Sequence, residues 1–502
     1  MVPVNPRRCH LARAIVVITC MIAAACGIGT VAVVDESAVP PTPTPAPTPT
    51  PDPDSLPRLG PGGQPYPTPV PPSRPELVDP TAEVADVFAV DVPLLFGPEE
   101  PRPLGGPTDP IRVAGVVTQM IGPSVVAADL CAGARARFER ANRDGELARP
   151  IQYIDCFDDE GDIDMNAELL AEAIDFFDVF AIVPATSTAF FSDELLAQNR
   201  VPHIGVGNLP AYCGFENSFG FGQSGAIGCP ALSATATPIV STPILGLWSQ
   251  GTESPLVGAR VAIARSDTVA GDLLAASLTL EAELTGAEVV FDSTEVPPAS
   301  AAERTDWADL ADQISDEDPD MVLIDGDRTA GLYTALGDAG FEGDVVGTAY
   351  VDAERIEADT DLRVALSGSL QVIQGSDPSN KQGDAWGRLL LDMAAIDVGS
   401  DDIGLDVLNG YAAADMFVAA LSDTPEPLSA EAFHDTINNG WQYPGISGLV
   451  CGGWWPVSHV VPYPCGALMT VSPFEEPLRT VVGLTDFPLV VETPVESFDD
   501  ED

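Results

Sequence analysis

The sequence predicts an α/β protein of two doubly wound, Rossmann-like lobes with parallel sheets, and three observations carry that prediction. Short apolar runs alternate with amphipathic stretches from residue 111 onward. IRVAGVV at 111–117, with the helix and strand after it, is restated by RVAIARS at 260–266, and VFAIV at 179–183 is restated by MVLI at 321–324. In both copies the third strand opens into a polar loop, PATST at 184–188 and DGDRTAG at 325–331. Continuous apolar runs of this length are the pattern of parallel strands buried on both faces. Right-handed connections wind helices onto both faces of such sheets, and two units of this kind bring their polar loops to face each other across a cleft.

The first 110 residues stand outside that alternation. Arg7, Arg8 and Arg13 precede an uncharged run at 14–34 containing AAAC at 23–26, which reads as an export signal. It is similar to a bacterial lipoprotein signal in which Cys26 becomes the lipidated first residue, with Ala23 where that motif prefers Leu. The 21 uncharged residues through Val34 also suffice, at about 1.5 Å per residue, to cross a ~30 Å hydrocarbon core as an uncleaved anchor. Either reading tethers the body outside the cytoplasmic membrane. Residues 35–110 form a Pro/Thr-rich stalk, since 23 of the 48 prolines fall at 40–110. Proline at that density favours polyproline II, and 40–75 would span roughly 110 Å when extended.

The chain has 22 Lys+Arg against 76 Asp+Glu, a formal charge of −54 that repels nucleic acid and anionic surfaces. Of nine cysteines, three lie in the signal region. The other six, in an oxidising compartment, pair by proximity as Cys131 with Cys156, Cys213 with Cys229 and Cys451 with Cys465; other connectivities stay open on sequence alone. Their spacings match no zinc site.

In the body, the strand at 111 is followed by a helix at 124–142, the strand IQYID at 151–155, the acidic turn CFDDEGDID, a helix at 165–176, and the strand, loop and helix of 179–198. VPHIGVGN at 201–208 reads as a fourth strand and its loop. After a Gly-, Pro- and Cys-rich connection the repeat begins near 260. Strands at 344–347 and 370–373 and helices at 381–396, 407–421 and 429–438 follow, and a Gly- and aromatic-rich segment closes the fold near 472. The expected organisation is a signal or anchor at 1–34, the stalk at 35–110, an N-terminal lobe of 111–237 plus 348–440, a C-terminal lobe of 238–347 plus 441–472, and an acidic tail at 473–502.

From about 111 to 472 the chain resembles the periplasmic binding proteins of the leucine/isoleucine/valine type, the substrate-binding subunits of ABC importers. The matching features are IRVAGVVTQMIGP, FDDEGDIDMNAELLAEAI, VFAIVPATST, VPHIGVGN, RVAIARSDTVAGD, GYAAADMFVAAL and GISGLVCGG, in this order. The resemblance implies the type I fold, two lobes joined by a three-strand hinge, closing on a ligand. It also implies that the loops after the third and fourth strands hold the ligand's carboxylate, here through Ala185, Thr186 and Ser187 and through Gly207, Asn208 and Leu209. The family's aromatic contacts fall near Ala127 and Ala270, and its ammonium-binding acid near Ala349, where Tyr350, Asp352, Asp325 or Asp327 would have to substitute. Arg328 stands where the family often has an aromatic. Its guanidinium suits a carboxylate or amide, and pairing with Asp325 or Asp327 is the alternative.

No catalytic constellation is present: there is no GxSxG or HExxH, and the four histidines are scattered. GFGQSG at 220–225 runs into Gly-Cys-Pro instead of a helix, so it reads as a loop within the 213–229 cysteine pair. DIDMN at 162–166 lacks the glycine and final acid of a calcium loop and reads as a helix N-terminus. The sequence therefore points to a tethered, monomeric binding protein without enzymatic activity, metal or cofactor. Its expected partners are a small solute and an ABC permease; a stalked sensor of the same fold is the alternative.

Overall fold

The structure is a computed structural model and describes residues 108–491 apart from 119–127, 188–192, 207–216, 222–238, 241–243, 268, 298–305, 327–328, 349–350, 352, 379–380, 456–464, 474–476 and 487–489. Two compact units divide the chain, 1–56 and 57–502, and every described residue belongs to the second. The signal with Cys26 and the stalk up to residue 107 lie outside the described residues.

The first sheet holds β1 (Ile111–Val117), β2 (Ile151–Asp158), β3 (Ala181–Thr186), β4 (His203–Val206) and β5 (Ser218–Phe221) in the order β2-β1-β3-β4-β5, with every pairing parallel. Between these strands run α1 (Ala128–Asp144), α2 (Ile163–Asp175) and α3 (Asp193–Gln198). Val113, Ala114, Val116 and Val117 of β1 are fully buried, which is what an unbroken apolar run between two helical layers requires.

After β6 (Ile239–Val240) and α4 (Ile244–Thr252) the pattern recurs as β7 (Arg260–Ser266), α5 (Val269–Thr285), β8 (Glu288–Val296), α6 (Ala308–Asp316), β9 (Met321–Ile324), α7 (Ala330–Asp338), β10 (Asp344–Gly347), α8 (Ala353–Ala358), α9 (Thr360–Leu366) and β11 (Leu370–Ile373). The order β8-β7-β9-β10-β11 copies β2-β1-β3-β4-β5 strand for strand, so the repeat in the sequence is a repeat of topology. The chain then returns to the first lobe through α10 (Asp384–Ala394), α11 (Leu405–Asp423), α12 (Ala430–Asn438) and a ribbon of β12 (Gln442–Tyr443) and β13 (Gly453–Trp454). Finally β14 (Cys465–Val471) and β15 (Leu478–Asp486) extend the second sheet antiparallel to seven strands, and β16 (Val490–Val491) pairs with β6.

The late helices complete the first lobe because α11 and α1 meet backbone to backbone. A Cβ added at Gly133 would lie 2.0 Å from the Val407 carbonyl oxygen, and one at Gly410 would lie 1.8 Å from the Leu130 carbonyl oxygen. Only glycine permits that approach. Behind it Phe138, Phe180, Phe219, Phe417 and Phe433 share one core with Tyr411 and Trp455, and Phe180 meets Phe433 edge-to-face at 5.5 Å.

Three stretches of chain join the lobes: after β5, between β11 and α10, and between β13 and β14. The second of these touches the chain just before β13 at an antiparallel bridge between Gly375 and Val450, where Ser376 N donates to Leu449 O at 2.7 Å. Several expected boundaries move. Strand 370–373, placed in the N-terminal lobe by the sequence reading, pairs in the second sheet through Val346 with Leu370 and Ile373 with Ala467. Tyr443, Leu449, Val450 and Trp455, placed in the C-terminal lobe, pack in the first core. The segment expected as an acidic tail from 473 contains β15, whose Leu478 and Val482 are buried.

Two of the three expected cysteine pairs are present. Cys131–Cys156 ties α1 to β2 with Cα atoms 6.0 Å apart, and Cys451–Cys465 closes the last crossing with Cα atoms 6.1 Å apart. Cys213 and Cys229 lie outside the described residues.

Candidate ligand-binding site

The register of the first sheet brings three strand ends level, because Val117 is paired with both Asp158 and Thr186. The next residues of those strands are Thr118, Asp159 and Ser187, and the backbone keeps them adjacent: Thr118 N donates to Thr186 O at 3.0 Å and Asp159 N to Val117 O at 3.1 Å. The side chains converge on the Asp159 carboxylate, which is wholly buried. Thr118 Oγ1 donates to Asp159 Oδ1 at 2.6 Å, Ser187 Oγ donates to Oδ2, Asn166 Nδ2 of α2 donates to Oδ2 at 2.8 Å, and Gly161 N donates to Oδ1 at 3.0 Å. Four donors compensate one buried carboxylate and lock three loops together. Asp162, three residues on, caps α2 by accepting from Met165 N at 2.9 Å, so DIDMN is the helix N-terminus that the sequence suggests.

The residues singled out after β3 thus have different situations. Ala185 and Thr186 close the strand, and Ser187 is spent on Asp159. Thr186 is 8% exposed and its hydroxyl has no hydrogen-bond partner among the described residues. A buried hydroxyl left this way costs about 1–3 kcal/mol, so it marks a place where a partner is wanted. Gly207, Asn208 and Leu209 lie outside the described residues, as do Arg328, Tyr350, Asp327 and Asp352.

In the second lobe Ser266 ends β7, Asp325 follows β9 and Thr348 follows β10, the counterparts of β1, β3 and β4. Thr348 Oγ1 donates to Asp325 Oδ1 at 2.8 Å, while Asp325 N donates to Ala264 O at 2.9 Å. Gly326 follows with φ of 135°, a conformation that needs glycine and turns the chain sharply after β9. Arg265 is held twice, by Asp292 through Nε–Oδ1 at 2.8 Å and Nη2–Oδ2 at 3.1 Å, and by Asp272 at 2.5 Å. Beneath these ends burial pushes the phenols of Tyr153 and Tyr333 well above their ordinary range, so both stay neutral packing groups under the loops. Among the described residues no cluster of His, Cys, Asp and Glu has metal-ligating geometry.

Asp159 is the site residue that the sequence reading did not isolate. Its signal was present, an acid directly after a buried strand, but in FDDEGD it stands beside Asp158, which accepts from Glu160 N, and Asp162, which caps α2.

Comparison with known proteins agrees with this architecture. A family model described as periplasmic binding protein matches residues 110–455. An ABC transporter substrate binding protein from Aeropyrum pernix superposes with a TM-score of 0.55 at 15% identity, over 78% of this chain and 97% of that one. An R. palustris solute binding protein in complex with 4-hydroxybenzoate gives 0.52 at 16% identity over 78% and 100%. The branched-chain amino acid transporter substrate binding protein of Streptococcus pneumoniae, in complex with isoleucine, gives 0.52 at 16% identity over 74% and 99%. No curated protein matches the sequence. With the family model spanning both lobes, and with the repeated parallel sheets and three crossings in place, the chain belongs to the periplasmic binding protein family.

Proposed function

We propose that the protein is the extracytoplasmic solute-binding subunit of an ABC importer. It captures a small polar solute, an amino acid, amide or carboxylate, between its lobes and closes about its hinge. The observation that carries this reading is the buried Thr186 hydroxyl, without a hydrogen-bond partner among the described residues, at the carboxyl end of a parallel strand, where open α/β sheets bind ligands. By the resemblance, Ala185, Ser187, Gly207, Asn208 and Leu209 are assigned to the first-lobe side of the site, and Arg328 and Tyr350 to the second-lobe side. The chemistry is binding alone, without cofactor or covalent step. A monomer tethered through residues 1–34, by a lipid on Cys26 or by an uncleaved apolar span, would be held clear of the membrane by the stalk and would deliver its solute to a permease. Isoleucine and 4-hydroxybenzoate in the similar structures support solutes of this size. A tryptophan-fluorescence screen of amino acids, amides and carboxylates tests the reading: saturable quenching by at least one compound is expected, and a flat response to all of them would overturn it.

A further inference from the structure

We propose that the Cys451–Cys465 disulfide is a staple across the hinge: it holds the two lobes at one pivot, beside the Gly375–Val450 bridge, so that they open by rotating about that point and cannot part there. The proposal rests on the hinge-closing reading and says where that hinge is fixed.

The two cysteines belong to different lobes. Cys451 follows Leu449 and Val450, which pack in the core of the first lobe, and precedes Trp455 of the same core. Cys465 opens β14 of the second sheet, where it pairs with Asp486 of β15. The chain between them carries β13 and the third crossing, with a sequence separation of 14. A chain of that length lets its ends stand up to roughly 45–50 Å apart, whereas the disulfide holds the two Cα atoms at 6.1 Å. The third crossing is thus bypassed by a covalent link, and the spacing of the lobes at this point no longer depends on the backbone that joins them.

The second crossing meets the staple. Cys451 Sγ lies 3.2 Å from Gln374 O, one residue before Gly375 bridges to Val450. Beyond the bridge the same crossing is held by each lobe in turn. Asp377 Oδ2 accepts from Thr480 Oγ1 of β15 at 2.7 Å, and Lys381 Nζ donates to Ser400 O, ahead of α11. Rotation about this neighbourhood changes few contacts within it, while displacement across it would break the bridge, the bond from Ser376 N to Leu449 O and the disulfide together. Cys451 is 4% exposed and Cys465 0%, so a thiolate in solution has no line of attack on either sulfur and the staple persists as long as the fold does.

Small-angle scattering of the full chain tests this. It compares the native protein, Cys451→Ser/Cys465→Ser and, as the control that removes a disulfide within one lobe, Cys131→Ser/Cys156→Ser. The hinge variant is expected to have a larger radius of gyration and maximum dimension than the native protein, with its circular dichroism retained, and the control is expected to keep the native curve. A native curve from a folded hinge variant, or an equal expansion in the control, overturns the proposal. If the hinge variant does not fold, hydrogen exchange of the native protein decides. Protection of Ser376 N and Val450 N as strong as that of β9 supports a fixed pivot, and exchange there at free-peptide rates overturns it. Solute titration separates this result from the solute-binding reading: an expanded hinge variant of a protein that binds no solute contradicts that reading and supports the staple, whereas an unexpanded variant of a protein that does bind overturns the staple alone.

Discussion

Arg137 of α1 and Asp415 of α11 are joined by a 2.5 Å bond from Nε to Oδ1, although 278 residues separate them in the chain. The Arg137 side chain is 4% exposed and makes a second, two-pronged contact to Glu146 at 3.1 and 2.7 Å. Asp415 also accepts from Tyr443 at 2.9 Å and from Arg140 at 3.3 Å, so one carboxylate on α11 ties α1 to β12. Removing one partner of a buried pair leaves the other uncompensated. Asp415→Ala should lower stability by about 3 kcal/mol in urea denaturation. A change below about 0.5 kcal/mol would show that the network contributes little.

The close crossing of α1 and α11 makes a sharper demand. Gly410→Ala places a Cβ against the Leu130 carbonyl and should cost at least ~3 kcal/mol or prevent folding. Gly387, on α10, has open space around it, so Gly387→Ala should stabilise by up to about 1 kcal/mol through helix propensity. Thermal unfolding of the two variants should move in opposite directions.

Glu281 supplies a pH dependence. Burial pushes its carboxyl up to about 7, overriding the backbone N–H groups of Leu245 and Gly246, which donate to it at 3.0 and 2.9 Å and pull the other way. The folded value lies above the unfolded one, so the stability linked to this group is fully present below about pH 4.5 and is lost as the pH rises through about 7. Stability of the native protein minus that of Glu281→Gln should therefore fall by on the order of 3 kcal/mol between those limits. A flat or rising difference would contradict the assignment.

Cys131 and Cys156 close a loop with a sequence separation of 25 beside the candidate site. Replacing both by Ser should cost about 3 kcal/mol by chain entropy, read as a lower denaturation midpoint under non-reducing conditions. An unchanged midpoint would mean that the packing of Val117 and Leu130 holds this corner unaided.

Much of the fold was legible because its signals are local. The apolar runs at 111–117, 181–183 and 321–324 are buried parallel strands, and the restatement near 260 foretold the second sheet. What stayed hidden depends on pairing across the chain. LQVI reads as a strand anywhere, but only Val346 and Ala467 decide that it belongs to the second sheet. In β15 the buried Leu478 and Val482 alternate with more exposed residues at a sheet edge, and acidic neighbours on both sides disguised it as tail. Asp159 becomes distinct from Asp158 and Asp162 only through Thr118 and Ser187, 41 and 28 residues away.

The most direct measurement is a calorimetric titration of the native protein and of Thr186→Ala with the tightest compound from the solute screen. The account predicts saturable one-to-one binding that weakens about tenfold in Thr186→Ala, the loss of roughly one hydrogen bond, with the melting temperature retained. Equal affinity in the two proteins would contradict it, because the strand-end loop of the first lobe would then not be where the solute is held.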